Sequence, residues 1–269
     1  MSHLAKFGRA QEHFIAIKTA IERFLAVKPY RLIEEYQPPP PFNQGDSVDF
    51  VLRLRILGSI PVEVPSLIGD YLTNLRASLD HLIYDIAVRH MRGNLTEERW
   101  LQFVIVDNPA TFASSLGKFK QDLPRDVVIA MESLQPYTRC HGAKDPDQCI
   151  ASDPLWLLNL LVNTDKHRTF LTVTHATFRD IRVDVEGGRT VNGLSGHTAS
   201  GPFQHGAEIH TLSFTAYRPE AEVKVNFEPT VQVAFGEEWP TLGRPVLMTL
   251  EKLRDHVRDV VFPALEPFL

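Results

Sequence analysis

The chain has 269 residues, of which 43% are hydrophobic and 23% charged, with a net charge of -5 and a pI near 6.1. This composition is typical of a folded globular protein with one large domain or two smaller ones. The acidic balance argues against a protein that holds duplex nucleic acid by bulk phosphate attraction. The sequence contains no secretory signal pattern and no apolar run of membrane-spanning length, so we expect a cytoplasmic protein without a membrane partner.

Hydrophobic periodicity predicts helices and strands along the whole chain. The predicted helices are 2–28, 66–90, 112–123, 125–134, 154–168 and 245–265. The predicted strands are 30–36, 47–56, 169–178, 181–186, 209–216, 221–227 and 230–235. The polar segments 138–152 and 187–206 are predicted as loops, the second of them long and mobile.

This order of elements predicts an α+β fold. The N-terminal part is a mainly helical bundle with a β-hairpin, followed by an antiparallel sheet and a C-terminal helix. We predict a helical domain at 1–168 that carries the candidate site and a sheet region at 169–269 closed by the last helix. A single integrated domain is the alternative.

The predicted helix at 66–90 is amphipathic, with Ser66 as its expected N-cap. Its apolar stripe has helical spacing and predicts a core face, formed by Ile68, Leu72, Leu75, Leu79, Leu82 and Ile86. A second stripe is polar, formed by Asp70, Asn74, His81 and Asp85. Arg76 and Asp80 stand at i,i+4 on a third face, where an ion pair is expected.

The predicted helix at 154–168 repeats this design. Asn159, Asn163 and His167 follow one another at intervals of four beside its apolar stripe. If the two helices pack together, their polar lines converge in one half-buried pocket. The residues expected there are Asn74, His81, Asp85, Asn163 and His167.

Residues 74–81 read NLRASLDH, in which Arg76 is followed by four residues and then His81. This stretch resembles the signature of HEPN-type helical domains, many of which are ribonucleases. The resemblance implies metal-independent cleavage of single-stranded RNA, without a cofactor, at a site that two subunits of a homodimer build together. Arg76 would stabilise the phosphate and His81 would transfer the proton, with Asn74 and Asp80 in the catalytic set. The second-helix partners on this hypothesis are Asn163, Asp165, His167 and Arg168.

A broader pattern covers residues 69–168. The segments GDYLTNLRASLDHL, LQPY and DPLWLLNLLVNTDKHR together resemble a group of uncharacterised bacterial proteins. That resemblance implies a shared fold and no particular activity, so the sequence leaves open whether the chain is an enzyme.

Two other functions compete with RNA cleavage. A metal-dependent hydrolase would bind a divalent zinc, manganese or iron ion through His81, Asp85 and His167, with Asp165 or Asp70 completing the shell. A non-catalytic module would use the same Asn, His and Asp side chains as a buried network that fixes helix packing, and would bind a ligand or a protein partner.

The two cysteines, Cys140 and Cys149, both lie in the polar segment 138–152. We interpret them as two ordinary thiols, with a loop disulfide and a pair of metal ligands as alternatives. His256, inside the last predicted helix, is interpreted as structural.

Overall fold

The computed structural model of the chain describes residues 2–96, 98–167, 172–186, 191–198, 205–216, 222–236, 241 and 243–269, without the side chains of 167, 172–186, 191–198 and 222–231. Its α-helices are α1 (Ser2–Ala26), α2 (Glu63–His90), α3 (Pro109–Leu116), α4 (Arg125–Ser133), α5 (Pro136–Arg139), α6 (Pro146–Ser152), α7 (Pro154–His167), α8 (Val246–His256) and α9 (Phe262–Leu265). Its strands are β1 (Tyr30–Gln37), β2 (Ser47–Ile56), β3 (Thr172–Glu186), β4 (Val191–Thr198), β5 (Glu208–Ala216) and β6 (Glu222–Phe235).

The fold class is α+β, as predicted, with the helical bundle, the β-hairpin, the antiparallel sheet and the C-terminal helix. The chain forms two compact units, each assembled from separate stretches. The helical unit comprises Met1–Thr19, Val62–Phe170 and Leu247–Leu269, and the sheet unit comprises Ala20–Pro61 and Leu171–Val246. The predicted division is a single cut between residues 168 and 169, whereas the chain passes between the units near residues 19, 61, 170 and 246.

Helix α2 supplies much of the core of the helical unit. All six members of its predicted apolar stripe are fully buried, as is Tyr71, whose hydroxyl donates a 2.6 Å hydrogen bond to the carbonyl of Leu250. The helix begins at Glu63, three residues before the predicted cap Ser66. Proline at position 65 is tolerated there because first-turn N–H groups have no intrahelical partner, and the Glu63 carboxylate complements the positive end of the helix dipole.

The segment 138–152 was predicted as a loop. In the structure it contains the last two residues of the short helix α5 and the whole of α6. Both begin with a proline in the first turn, Pro136 and Pro146, where the fixed φ angle favours a helix start. The Asp145 side chain accepts a 3.0 Å hydrogen bond from the Gln148 N–H and caps α6. The high content of Pro, Gly and Asp therefore marks helix boundaries here rather than one continuous loop.

The sheet unit contains a four-stranded antiparallel sheet in the order β1-β2-β5-β4. The hairpin register pairs Tyr36 with Phe50 and Tyr30 with Ile56. One face covers a cluster of buried side chains: Phe42, Val48, Phe50, Leu52, Leu212, Phe214 and Ala216. Strand β4 lies inside the segment predicted as a mobile loop at 187–206, so that prediction was wrong for residues 191–198; residues 187–190 and 199–204 lie outside the described ranges.

Strands β3 and β6 form a separate two-stranded antiparallel sheet. Each was predicted as two shorter strands, because Arg179-Asp180 and Pro229 interrupt the alternating patterns. The structure runs each through as one strand, with a register shift between Arg179 and Arg182, and pairs Pro229 with Phe178. A two-stranded sheet has only edge strands, where proline is tolerated because its missing N–H can face away from the ladder.

The C-terminal helix is one continuous run with a change of winding. Helix α8 passes into a π-helical segment at Val257–Val261 and then into α9. Pro263 explains the change, because it has no N–H to donate to the carbonyl of Asp259 and its ring crowds that carbonyl. Asp259 and Val260, which lie in the π segment, are both exposed.

Candidate functional site

Arg76 and Asp80, two of the predicted catalytic residues, hold a backbone segment in place. Arg76 Nη2 lies 3.1 Å from Asp80 Oδ1 and donates to the Phe103 carbonyl, while Asp80 Oδ1 accepts a 2.9 Å hydrogen bond from the Phe103 N–H. Only 14% of the Arg76 side chain is exposed. Burial lowers the pKa of Arg76 and Asp80 opposes that shift. The pair therefore fixes the segment around Phe103 against the helix.

The remaining polar residues of α2 have separate surroundings. Asn74 donates from Nδ2 to the Asp70 carbonyl of its own helix at 2.8 Å. Asp85 accepts from the N–H and the hydroxyl of Ser2 and lies 3.5 Å from Nδ1 of the buried His3. His81 is half-buried. The predicted stripe is thus used at one end to anchor the start of α1.

Helix α7 packs on α2, as the convergence hypothesis requires. One close contact is between Gly69 and Asp165: a Cβ added to Gly69 would come within 2.3 Å of Asp165 Oδ1. At 1.5 Å per residue, His81 lies about 18 Å further along α2 than this contact. The structure therefore brings Asp165 to the Asp70 end of α2 and leaves His81 distant from it along the helix.

The other polar residues predicted on α7 are either partly exposed to solvent or lie outside the part of the chain that the structure describes. Asn159 is half-buried and Asn163 is exposed, whereas the side chain of His167 and all of Arg168 lie outside the described residues. Burial, with a further contribution from Asp70, raises the pKa of Asp165. Within the described ranges, no three His, Cys, Asp or Glu side chains are grouped closely enough to hold a metal ion. The metal alternative includes His167 and stays a prediction.

A cleft of about 710 Å³ lies elsewhere in the helical unit, between the α5 to α7 region and the C-terminal helix. Its volume is in the range typical of small-molecule sites. Charged and polar side chains line it, together with both cysteines, Pro154 and Val260. The polar lining residues are Arg139, Gln148, Ser152, Asp153, Lys252, Asp255, His256 and Asp259.

Three of these side chains form a hydrogen-bonded chain. Arg139 Nη1 lies 2.6 Å from His256 Nε2 and 3.2 Å from Asp153 Oδ2. Burial, with Arg139 and Lys252 nearby, lowers the pKa of His256 to about 4. The ring is therefore neutral at pH 7, Nε2 accepts from the guanidinium, and Nδ1 carries the proton.

Asp153 connects this chain to α7. Its Oδ1 accepts from the N–H groups of Leu155 and Trp156, at 2.8 and 3.3 Å, and so caps the helix. Burial raises the pKa of Asp153, while Arg139 and the two N–H groups act in the opposite direction. Arg139 is thereby oriented by two fixed partners, and a third of its side chain remains exposed.

The other charges of the cleft are distributed unevenly. Asp255 is paired with Arg254 and Arg258 at 2.8 and 3.1 Å, and Asp259 with Arg258 at 2.7 Å. Lys252 is exposed, and its ammonium group makes a long 3.4 Å contact with the Ser152 carbonyl. The carboxylates of the lining thus already have arginine partners, whereas Lys252 presents a positive charge to the cleft.

Cys140 and Cys149 form a disulfide in the wall of this cleft. The interpretation of the two cysteines as ordinary thiols was wrong. The two cysteines come together because the chain turns back between α5 and α6, which starts at Pro146. The Cα atoms of Cys140 and Cys149 are therefore only 5.7 Å apart, a distance that a disulfide spans. Spacing in the sequence could not distinguish this arrangement from two separate thiols.

The sequence contained few signals for this cleft. His256 was noted and interpreted as structural, and Arg139 lies 117 residues away from it. The predicted helix start at residue 154 is confirmed. The structure adds one signal that the sequence lacks: the π-helical segment Val257–Val261 borders the cleft, and such segments occur frequently at functional sites.

Among the helices of the described ranges, none combines the length and the apolar character that crossing a membrane requires. No family model matches the chain, and no curated protein and no solved structure shows significant similarity to it.

Proposed function

We propose that the helical unit is a binding module for a small anionic molecule, which it holds in the cleft between Arg139 and Lys252. The observation that carries the proposal is that both cations line one cleft of about 710 Å³. The proposal develops the ligand-binding alternative of the sequence analysis and moves the site from the faces of α2 and α7 to the C-terminal helix.

The geometry gives each group a separate part in binding. The Arg139 guanidinium is held by Asp153 and His256 through Nη1, which leaves its other N–H groups for a carboxylate or phosphate. Lys252 supplies a second, mobile charge. The neutral ring of His256 avoids the cost of burying a second positive charge beside Arg139.

Titration calorimetry with succinate tests this proposal, with uncharged 1,4-butanediol as the matched compound. We expect saturable binding of succinate and none of the diol. Lys252→Gln should weaken succinate binding about tenfold, the value of one charge-assisted hydrogen bond. Lys120→Gln, a change of an exposed lysine elsewhere in the helical unit, should leave it unchanged. Equal binding of both compounds, or no effect of Lys252→Gln, would contradict the proposal.

RNA cleavage by Arg76 and His81, and the homodimer that it implies, stay predictions. Arg76 would have to release the Phe103 carbonyl and Asp80 to reach a phosphate, which weighs against that function relative to anion binding. Binding of a protein partner likewise stays a prediction.

The cytoplasmic location also stays a prediction. The Cys140–Cys149 disulfide favours an oxidising compartment, because thiols are kept reduced in most cytoplasms.

A further inference from the structure

The disulfide and the two cations of the anion site share one cleft. Cys140 is 3% exposed and Cys149 is half-buried, so Cys149 is the sulfur that a molecule entering the cleft meets first. Arg139 is the chain neighbour of Cys140, and Lys252 lies on the opposite wall on α8. A molecule whose carboxylate is held by these cations therefore has the disulfide within the same cleft.

Disulfides are opened by thiolates, and positive charge near the sulfur atoms favours both the attacking thiolate and the thiolate that leaves. In the cleft Lys252 supplies that charge, and Arg139, whose own charge is balanced by Asp153, adds N–H donors. The neighbouring His256 is neutral at pH 7, so it neither forms an ion pair with an incoming thiolate nor competes with it for the two cations.

We propose that the Cys140–Cys149 disulfide is a reaction site for small thiols that also carry a carboxylate. The carboxylate binds Arg139 and Lys252, so this inference rests on the proposed anion site and names the class of molecule that enters it.

The exchange proceeds in two steps. The thiolate of a first molecule attacks Sγ of Cys149 and forms a mixed disulfide, and the bond to Cys140 breaks with its electron pair on Cys140, which takes a proton from water. A second thiolate attacks the sulfur of the bound small molecule, which gives the small-molecule disulfide and frees Cys149, protonated in turn. Two small thiols are oxidised and one protein disulfide is reduced.

The test compares 3-mercaptopropionate with the uncharged thiol 2-mercaptoethanol on the oxidised full chain. The fraction reduced is followed by alkylation and intact mass, and rates are expressed per thiolate, so that the different acidities of the two thiols cancel. We expect the carboxylate thiol to react about tenfold faster and its rate to saturate with concentration. Lys252→Gln should remove most of this advantage without changing the 2-mercaptoethanol rate, and Lys120→Gln should change neither.

A second variant tests the direction of attack. Cys140→Ser leaves Cys149 free, and incubation with the disulfide of 3-mercaptopropionate should add one mercaptopropionate to the protein at Cys149. Equal rates per thiolate for the two thiols in the unmodified chain would overturn the inference.

Added succinate distinguishes this failure from failure of the anion site. If succinate binds but does not slow reduction by 3-mercaptopropionate, the anion site stands and the reaction site is refuted. If succinate does not bind and the two thiols react equally, both proposals fail.

Discussion

The polar residues of α2 and those of the cleft beside α8 are of the same kinds, but their side chains have different partners. On α2, Arg76 and Asp80 are directed to the backbone of Phe103, and Asp85 is directed to the start of α1. In the cleft, Arg139 and Lys252 face a space large enough for a ligand. Polar residues at helical spacing therefore predict a site only when backbone groups do not already take up their hydrogen bonds.

The largest expected effect comes from breaking the α2 arrangement. Arg76→Met removes the donor to the Phe103 carbonyl and leaves Asp80 without its cation, so we expect the free energy of unfolding to fall by about 3 kcal/mol. Chemical denaturation measures it. Arg89→Met, at an exposed position of the same helix, should stay within about 0.5 kcal/mol of the unmodified chain.

The same protein preparations test the ribonuclease prediction. Single-stranded RNA incubated with folded protein in EDTA should remain intact if Arg76 is structural. Cleavage that His81→Ala abolishes without loss of fold would instead restore the predicted site on α2.

An effect of intermediate size is expected on the pH dependence of stability, and it comes from His256 in the cleft. His256 is neutral in the folded chain down to about pH 4, whereas an unfolded histidine takes up a proton near pH 6.5. The unfolded state therefore binds more protons between these values, and stability falls as the pH falls from 6.5 to 4.

With allowance for partial solvent screening, this contribution is about 2 kcal/mol. His256→Gln should lose less stability than the unmodified chain over that pH range, as measured by urea unfolding at each pH. His141→Gln, a histidine change at an exposed position near the cleft, is the matched control and should show the same loss of stability as the unmodified chain. Parallel curves for His256→Gln and the unmodified chain would contradict the assignment of a neutral, buried ring.

The smallest expected effect concerns the contact between α2 and α7. Gly69→Ala places a methyl group against the Asp165 carboxylate, and we expect a net loss of about 1 kcal/mol despite the better helix propensity of alanine. Gly8→Ala in α1, where the added Cβ meets nothing within 4 Å, should gain about 0.5 to 1 kcal/mol.

In the Asp165→Ala background the sign of the Gly69→Ala effect should reverse, because the obstructing carboxylate is gone. Thermal unfolding of the four variants of this cycle measures the coupling. A stabilising Gly69→Ala change in the unmodified chain would show that α7 is free to move away from α2.

The sequence was sufficient for the features that depend on local periodicity. The stripe from Ile68 to Ile86 is fully buried, and the hairpin strands fall within a residue of their predicted ends. Periodicity shows which face of a helix is buried and does not show which element covers it. For that reason the cleft was missed: Arg139 and His256 meet across 117 residues of sequence, and no local pattern encodes that contact.

Two prolines were misleading because they were treated only as interruptions. Pro146 starts a helix, and Pro229 lies inside a strand. Each outcome depends on whether the missing N–H was needed at that position, which tertiary structure determines.

The alternation of the chain between the two units has a consequence for folding during translation. The Tyr71 hydroxyl finds its acceptor on Leu250, 179 residues later, so the helical unit cannot complete its core until the ribosome has made the whole sheet unit. Contacts of such long sequence separation slow folding and leave apolar surface exposed on the nascent chain. We expect the apolar side of α2 to need protection by a chaperone during synthesis, even though the finished protein buries it completely.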